Sequence, residues 1–201
     1  MKIALAALIV AAAGSTAMAD SVTFSGSQAI QTTNWGPLSV ALPQFDNTPG
    51  GTYDGATLTN VILTLTGNVA GRVRLESLDA QPATLTYNLQ ATLNFTGPGG
   101  GAVVAIPTAS GSFNASAFDN GIDFGGTSGV DLSGLTGTDT QVANPFIFAP
   151  YQGNGNINFG LSAQGTSNGS GAGNLLQQFN TDAGAEYSVT YIFNPIPTPG
   201  A

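Results

Sequence analysis

One stretch of the chain, residues 84–96, alternates between apolar and polar side chains without interruption. A period of two places successive side chains on opposite faces of an extended strand. The pattern therefore predicts a β-strand with one buried face and one solvated face. The apolar positions are Leu85, Tyr87, Leu89, Ala91, Leu93 and Phe95, and the polar positions are Thr84, Thr86, Asn88, Gln90, Thr92, Asn94 and Thr96.

Two shorter alternating segments precede this strand, at residues 61–66 and 72–76. Together with residues 84–96 they are predicted to form three consecutive antiparallel strands, joined near residues 67–71 and near residues 79–82. The same alternation predicts further strands at residues 157–163 and 187–193, a pair of strands within residues 22–42, and another strand at residues 101–106.

Many short strands separated by turns rich in glycine, proline and asparagine are typical of all-β folds. The sequence predicts an antiparallel two-sheet β-sandwich, jelly-roll-like in arrangement. At most one short helix is expected, at residues 174–181, where Leu175, Leu176 and Phe179 have helical spacing between turns. Residues 119–140 are rich in glycine and aspartate and have little periodicity, so they are predicted to form a long structured loop anchored by a few apolar side chains.

The amino terminus has the three-part layout of a secretory signal. Lys2 supplies a positive charge, residues 3–13 form an apolar run, and Ala17 and Ala19 are the small residues at positions −3 and −1 of a cleavage site. A membrane-spanning helix would need roughly 20 apolar residues. We therefore expect Sec-type export with cleavage after Ala19, and an extracellular or cell-surface location. The predicted organisation is a signal peptide at 1–19, a single β-sandwich domain at 20–194 and a Pro-rich C-terminal spacer at 195–201.

The composition excludes several classes of function. The chain has no cysteine and no histidine, so it has no disulfide bridges, no nucleophilic system built on Cys or His, and no thiolate or imidazole metal site. Three basic and eleven acidic residues give a net charge of −8; without Lys2 two basic residues remain against eleven acidic ones, a net charge of −9. Nucleic acid and anionic membrane surfaces attract basic proteins, so neither is an expected partner.

Carboxylates are the remaining candidate catalytic groups, and the enzyme class that they could serve is a glycan-active hydrolase. Glycoside hydrolysis needs two carboxyl groups facing one cleft, and the best pairs in the sequence are Glu76 with Asp79 or Glu186. On a strand, however, positions 76 and 79 project to opposite faces, and Glu76 is expected to point outward and form an ion pair with Arg72 or Arg74. The sequence therefore predicts a non-catalytic protein.

The segment Asp119-Asn120-Gly121-Ile122-Asp123 offers side-chain and main-chain oxygens in a short loop. Hard oxygen ligands in a flexible loop suit Ca²⁺, which makes Asp119 and Asp123 candidate calcium ligands. The spacing does not match an EF-hand loop. The alternative is that these side chains accept hydrogen bonds from their own backbone in turns.

Aromatic residues in turn-rich segments are candidates for stacking on sugar rings, and in this chain they are Trp35, Tyr53 and Tyr151. The polar side of residues 84–96 is a second candidate surface, for polysaccharide or for another copy of the chain. The alternative for that side is the ordinary solvated face of a sheet.

Several short segments, kept in order along the chain, carry a family resemblance. Through them the chain resembles the choice-of-anchor E domains of bacterial exported surface proteins. The resemblance implies an exported domain without established enzymatic activity, held at the cell surface by one of several C-terminal anchors, often of the PEP-CTERM type that accompanies exopolysaccharide production. The segments are LPQFD at 42–46, LTNVILTLTG at 58–67, ESLDA at 76–80, FDNGIDFGGTSG at 118–129, GAGNLL at 171–176 and AEYSVTY at 185–191.

The ending at residues 197–201 resembles the segment that leads into such an anchor. The apolar helix and the arginine cluster of a PEP-CTERM anchor do not follow it in this sequence. Contact with a membrane is therefore expected only through an anchor of that kind.

The favoured hypothesis is a non-catalytic exported surface or extracellular-matrix protein, a structural or adhesive β-sandwich module associated with exopolysaccharide. One alternative is a self-assembling subunit of an extracellular fibre, in which a segment such as residues 20–30 adds to the open sheet edge of a neighbouring copy. A glycan-active hydrolase is the alternative with the least support.

Overall fold

The computed structural model describes residues 19–196. Nearly all of the predicted signal peptide, residues 1–18, and the last five residues of the predicted spacer, 197–201, lie outside the described residues. The described part contains ten β-strands and a single-turn 3-10 helix at Ala149–Tyr151. The strands are β1 (Asp20–Thr32), β2 (Trp35–Pro43), β3 (Thr57–Ser77), β4 (Ala83–Thr96), β5 (Ala102–Ala105), β6 (Thr108–Ala115), β7 (Gly129–Ala143), β8 (Asn156–Gly165), β9 (Asn168–Ser170) and β10 (Leu175–Asn194).

Two antiparallel sheets pack against each other, which confirms the predicted all-β sandwich. Sheet A has the strand order β1-β10-β3-β7. Sheet B has the order β2-β8-β4-β5, and β6 and β9 also pair with β4. The strands predicted at residues 84–96, 101–106 and 157–163 correspond to β4, β5 and β8, and residues 187–193 lie in β10.

The core lies between the two sheets and is built from alternate positions of each strand. In β4, Leu85 and Leu89 have no exposed surface, whereas Thr84 and Thr86 on the other side are exposed. The predicted division of this strand into a buried and a solvated face is therefore confirmed. The largest fully buried side chains are Tyr151, Tyr191, Phe45, Phe95, Phe159, Leu63, Leu65, Leu75, Leu85, Leu89, Leu93 and Leu161.

The predicted break between strands at residues 67–71 is wrong, because β3 continues through them. Gly67 faces the core, where a Cβ atom would lie 3.1 Å from the side chain of Leu93. Gly71 lies against the main chain of Asn180. Both glycines therefore allow neighbouring segments to approach closely, and neither forms a turn.

The pairing of β3 with β4 differs from the prediction. β3 and β4 belong to different sheets, so residues 78–82 cross from one sheet to the other and do not close a hairpin. β1 and β2 confirm the two strands predicted within residues 22–42, and they lie in different sheets, since β1 pairs with β10 and β2 pairs with β8. A period of two gives the two faces of a strand but does not name its neighbours.

The predicted helix at residues 174–181 is wrong, because this segment forms the start of β10. Its residues from 175 onward pair in unbroken register with the end of β3, and this pairing outweighs the local helical spacing. The predicted loop at residues 119–140 is a loop only as far as Ser128, since β7 begins at the next residue and pairs with the other side of β3.

Candidate functional site

The outward side of sheet A carries an array of small polar side chains, contributed by β1, β10, β3 and β7, which we call the hydroxyl face. Threonine pairs join neighbouring strands across it. The Oγ1 atoms of Thr23 and Thr190 lie 2.8 Å apart, and those of Thr66 and Thr140 lie 2.9 Å apart. Near the edge formed by β1, the hydroxyl face contains an open depression of about 520 Å³ lined by Ser25, Gly26, Ser27, Thr64, Thr66, Glu186, Tyr187 and Ser188.

Strand register explains why these side chains meet. Ser25 is opposite Ser188, which is in turn opposite Thr64. In the next outward row, Ser27, Glu186 and Thr66 are neighbours in the same way. Because nearly all of these side chains are short, the surface presents hydroxyl donors and acceptors close to the sheet, with one carboxylate among them. Such a surface can hydrogen-bond to the hydroxyl groups of a sugar.

Tyr187 borders the depression although its side chain points away from the hydroxyl face. Alternation places it on the core side of β10, and its ring centroid is 5.3 Å from that of Phe95. It is nevertheless only half-buried, because its strand neighbour Gly26 has no side chain to cover it. A Cβ atom at Gly26 would lie 2.6 Å from the Tyr187 hydroxyl oxygen. An aromatic residue opposite a glycine on an edge strand signals this partly exposed ring, which is not one of the polar groups of the hydroxyl face.

The outward side of sheet B, which includes the polar side of residues 84–96, has a similar character. Thr84 Oγ1 donates a hydrogen bond to Asn114 Oδ1 at 2.9 Å, and the hydroxyl oxygens of Thr86 and Ser170 lie 2.9 Å apart. Hydroxyl and amide groups therefore cover both outer surfaces of the sandwich.

The three aromatic residues predicted to stack on sugars do not lie together on one surface. Tyr151 has no exposed surface, and its hydroxyl donates to the Pro98 carbonyl oxygen at 2.9 Å. Burial also raises the pKa of Tyr151 to about 12. The candidate role of Tyr151 is therefore wrong, since a core side chain cannot contact a sugar. Tyr53 is half-buried and stacked on the buried Phe45 with ring centroids 4.7 Å apart. Trp35 is also half-buried, and its indole N–H donates to the Ala183 carbonyl oxygen at 3.2 Å.

The candidate calcium ligands hold their own loop together. Asp119 accepts backbone hydrogen bonds from Gly121 at 3.0 Å and from Thr127 at 3.2 Å, and these bonds lower the pKa of Asp119. Asp123 accepts one from Gly125 at 2.8 Å. Within residues 19–196, no three acidic side chains come close enough to share a metal ion. The geometry is that of the turn interpretation, and calcium binding by Asp119 and Asp123 stays the alternative prediction.

Glu76 does not form the expected exposed ion pair. It lies on the outward side of β3, but the loop at residues 116–128 packs over it and leaves it no exposed surface. Ser128 Oγ donates a hydrogen bond to Glu76 Oε1 at 2.6 Å. Glu76 Oε2 has no hydrogen-bond partner in the described part of the chain. A buried, half-satisfied carboxylate results, away from the hydroxyl face depression.

The arginines pair instead with Asp131 of β7. Arg72 donates two hydrogen bonds to this carboxylate, and Arg74 Nε donates a third at 3.1 Å. These hydrogen bonds, with that from Arg72 the largest effect, lower the pKa of Asp131, and the pKa of Arg72 is raised. The guanidinium of Arg74 also lies over the ring of Phe124, 5.8 Å from its centroid. This exposed cluster fastens the loop and β7 to β3.

Comparison with known proteins assigns this chain to no family. No family model matches the chain, and no curated protein matches it. Among solved structures, one of infectious bursal disease virus strain Gx is 16% identical with a TM-score of 0.15, and covers 98% of this chain and 47% of the viral chain. One of strain Gt is 14% identical with a TM-score of 0.11, and covers 98% and 45%. The chain thus spans less than half the length of these viral chains, and at such TM-scores the likeness carries no argument.

No helix within residues 19–196 has the length and apolar character needed to cross a membrane.

Proposed function

We propose that this chain is a non-catalytic structural or adhesive module of the cell surface or extracellular matrix, and that its hydroxyl face contacts exopolysaccharide. The observation that carries the proposal is the depression of about 520 Å³, whose outward side chains all carry hydroxyl groups except Glu186. Expected export and the resemblance to exported surface domains support the same assignment.

The charge of the protein narrows the class of polysaccharide. The exported chain is expected to have a net charge of −9, and the one charged side chain of the depression, Glu186, is acidic. A polymer of uronic acids would be repelled at such a surface. We therefore propose a neutral polysaccharide as the ligand.

The placement of the carboxylates supports a non-catalytic role. Glu76 is buried, and Asp79 accepts hydrogen bonds from the backbone of Gly173 at 2.7 Å and of Asn174 at 2.9 Å. Glu186 is thus the sole carboxylate lining the depression. Glycoside hydrolysis by the usual route needs a second one facing it.

Gel electrophoresis through polysaccharide tests the proposal. We expect a neutral glucan to retard the chain and a polyuronate to leave its mobility unchanged. The double variant Thr64→Val, Ser188→Ala removes two hydroxyl groups from the depression and should restore free mobility. Thr92→Val, on the outward side of sheet B, is the matched control and should be retarded like the wild type. Equal retardation of both variants would contradict a role for the depression.

A fibre subunit is the second candidate, and the position of β1 at an edge of sheet A favours it. Residues 20–30, the predicted donor segment, form part of β1 and pair with β10 of the same chain. Polymerisation in which this segment leaves its own sheet to complete that of a neighbour would therefore require β1 to exchange between copies. Negative-stain microscopy of the purified chain tests this, since filaments of uniform width would support the fibre and monodisperse particles at high concentration would refute it.

A further inference from the structure

The outermost strands of the two sheets are β1 and β7 in sheet A and β2 and β5 in sheet B, and the outer edges of three of these four strands are protected. The edge of β7 lies beside β5 and β6 of sheet B, where Asp139 Oδ2 accepts a hydrogen bond from the backbone N–H of Ile106 at 2.7 Å. The edge of sheet A at β7 and the edge of sheet B at β5 and β6 therefore cover each other. The edge of β2 carries Pro37 and Pro43, which have no N–H to donate to a neighbouring strand.

The fourth edge, that of β1, has no such protection. β1 pairs with β10 on one side, and no other described strand pairs with it. Between Asp20 and Gln28 its register with β10 is unbroken, and the next irregularity lies between Gln28 and Gln31. This open segment contains no proline and, after Asp20, no charged residue. A straight, uncharged edge with free main-chain groups is a template for another strand.

A second copy of this chain is an occupant whose charge this edge can accept. Two copies with a net charge of −9 repel each other over most of their surfaces, but the residues from Ser21 onward in β1 add no charge to a contact. Antiparallel pairing would place the Asp20 side chains of the two copies at opposite ends. The Glu186 side chains lie one strand further in on each side, so about three strand spacings of 4.8 Å, roughly 14 Å, would separate them. That distance exceeds the Debye length at physiological salt, about 8 Å.

We propose that β1 pairs antiparallel with β1 of a second copy about a twofold axis, which joins the two A sheets into one continuous eight-stranded sheet. The contact uses the same surface on both copies and therefore closes, so it predicts a dimer and not a filament. The inference goes beyond the proposed function, because it requires no polysaccharide.

Analytical ultracentrifugation of the purified chain over a concentration series tests the dimer. We expect a reversible monomer–dimer equilibrium. Ser25→Glu places like charges near each other across the twofold axis and should weaken association about tenfold or more. Thr136→Glu adds the same charge to an exposed position of β7 at the other edge of sheet A and should leave association unchanged. A wild type that stays monomeric at millimolar concentration, or equal association of both variants, would overturn the proposal.

A cysteine scan gives a second measurement that does not depend on the strength of association. The chain has no cysteine, so single substitutions at Ser21, Thr23, Ser25 and Ser27 each introduce one thiol. We expect one or two neighbouring positions of this set, those nearest the twofold axis, to form disulfide-linked dimers much faster than Thr136→Cys. Cross-linking at the same rate at all five positions would indicate random collision and refute the pairing.

Discussion

Replacement of Glu76 by glutamine gives the sharpest test of the structure around the loop at residues 116–128. The side chain has no exposed surface, and one of its two carboxylate oxygens lacks a hydrogen-bond partner in the described chain. A buried polar group left without a partner costs about 1–3 kcal/mol. Glutamine has nearly the same shape, and its carbonyl oxygen can still accept the hydrogen bond from Ser128 Oγ.

We therefore expect Glu76→Gln to raise the free energy of unfolding by about 1–2 kcal/mol, because an unpartnered neutral amide costs less to bury than an unpartnered carboxylate. For a domain of this size that corresponds to roughly 2–8 °C in Tm. Urea unfolding can be followed by the fluorescence of Trp35, the single tryptophan of the chain.

Glu186→Gln is the matched control, since the same chemical change at an exposed position should alter stability by less than about 0.5 kcal/mol. A Glu76→Gln variant that unfolds at lower urea than the wild type, with an unchanged Glu186→Gln variant, would refute the reasoning. It would mean that Glu76 Oε2 has a favourable partner in solution.

Three further predictions concern other parts of the molecule. We expect millimolar Ca²⁺ to leave Tm unchanged, because Asp119 and Asp123 already accept backbone hydrogen bonds; a rise in Tm that a chelator reverses would instead support the calcium interpretation. The pKa of Asp119 is lowered by its backbone hydrogen bonds, so its contribution to stability is present above the usual value of 3.8 and is lost as the pH falls through the lowered value. Urea unfolding at a series of acidic pH values should therefore show a smaller loss of stability for Asp119→Asn than for the wild type, and equal losses would contradict this. Tyr191→Phe should lower the free energy of unfolding by about 1–2 kcal/mol in the same assay, because the buried Tyr191 hydroxyl donates to the Pro43 carbonyl oxygen at 2.9 Å; an unchanged midpoint would refute it.

The faces of individual strands could be predicted from the sequence because burial imposes a period of two on them. Residues 84–96 follow that period throughout, and every predicted apolar position but Tyr87 is fully buried. The neighbours of each strand could not be predicted, because pairing depends on segments far apart in the chain. The start of β10 is an example, since its strand conformation depends on β3.

The candidate site was harder to predict because none of its residues, taken alone, differs from an ordinary surface serine or threonine. Ser25, Ser188 and Thr64 form a row only when β1, β10 and β3 lie side by side. Glu76 was misjudged for a related reason: alternation correctly places it on the outward side of β3, but only the folded loop at residues 116–128 reveals that this position is covered. Glycines posed a third difficulty, because Gly67 marks close packing where the sequence suggested a turn.

The position of β10 between β1 and β3 has a consequence for the order of folding. Asp20, in the first strand, pairs with Phe193, near the end of the last strand, so sheet A cannot be completed until nearly the whole chain is available. Contacts between such distant residues form slowly, since a long loop must close before they contribute any stability. If the chain passed through a narrow translocation pore from its amino terminus, sheet A would therefore stay incomplete until the last strand emerged. The sandwich would then assemble on the far side of the membrane.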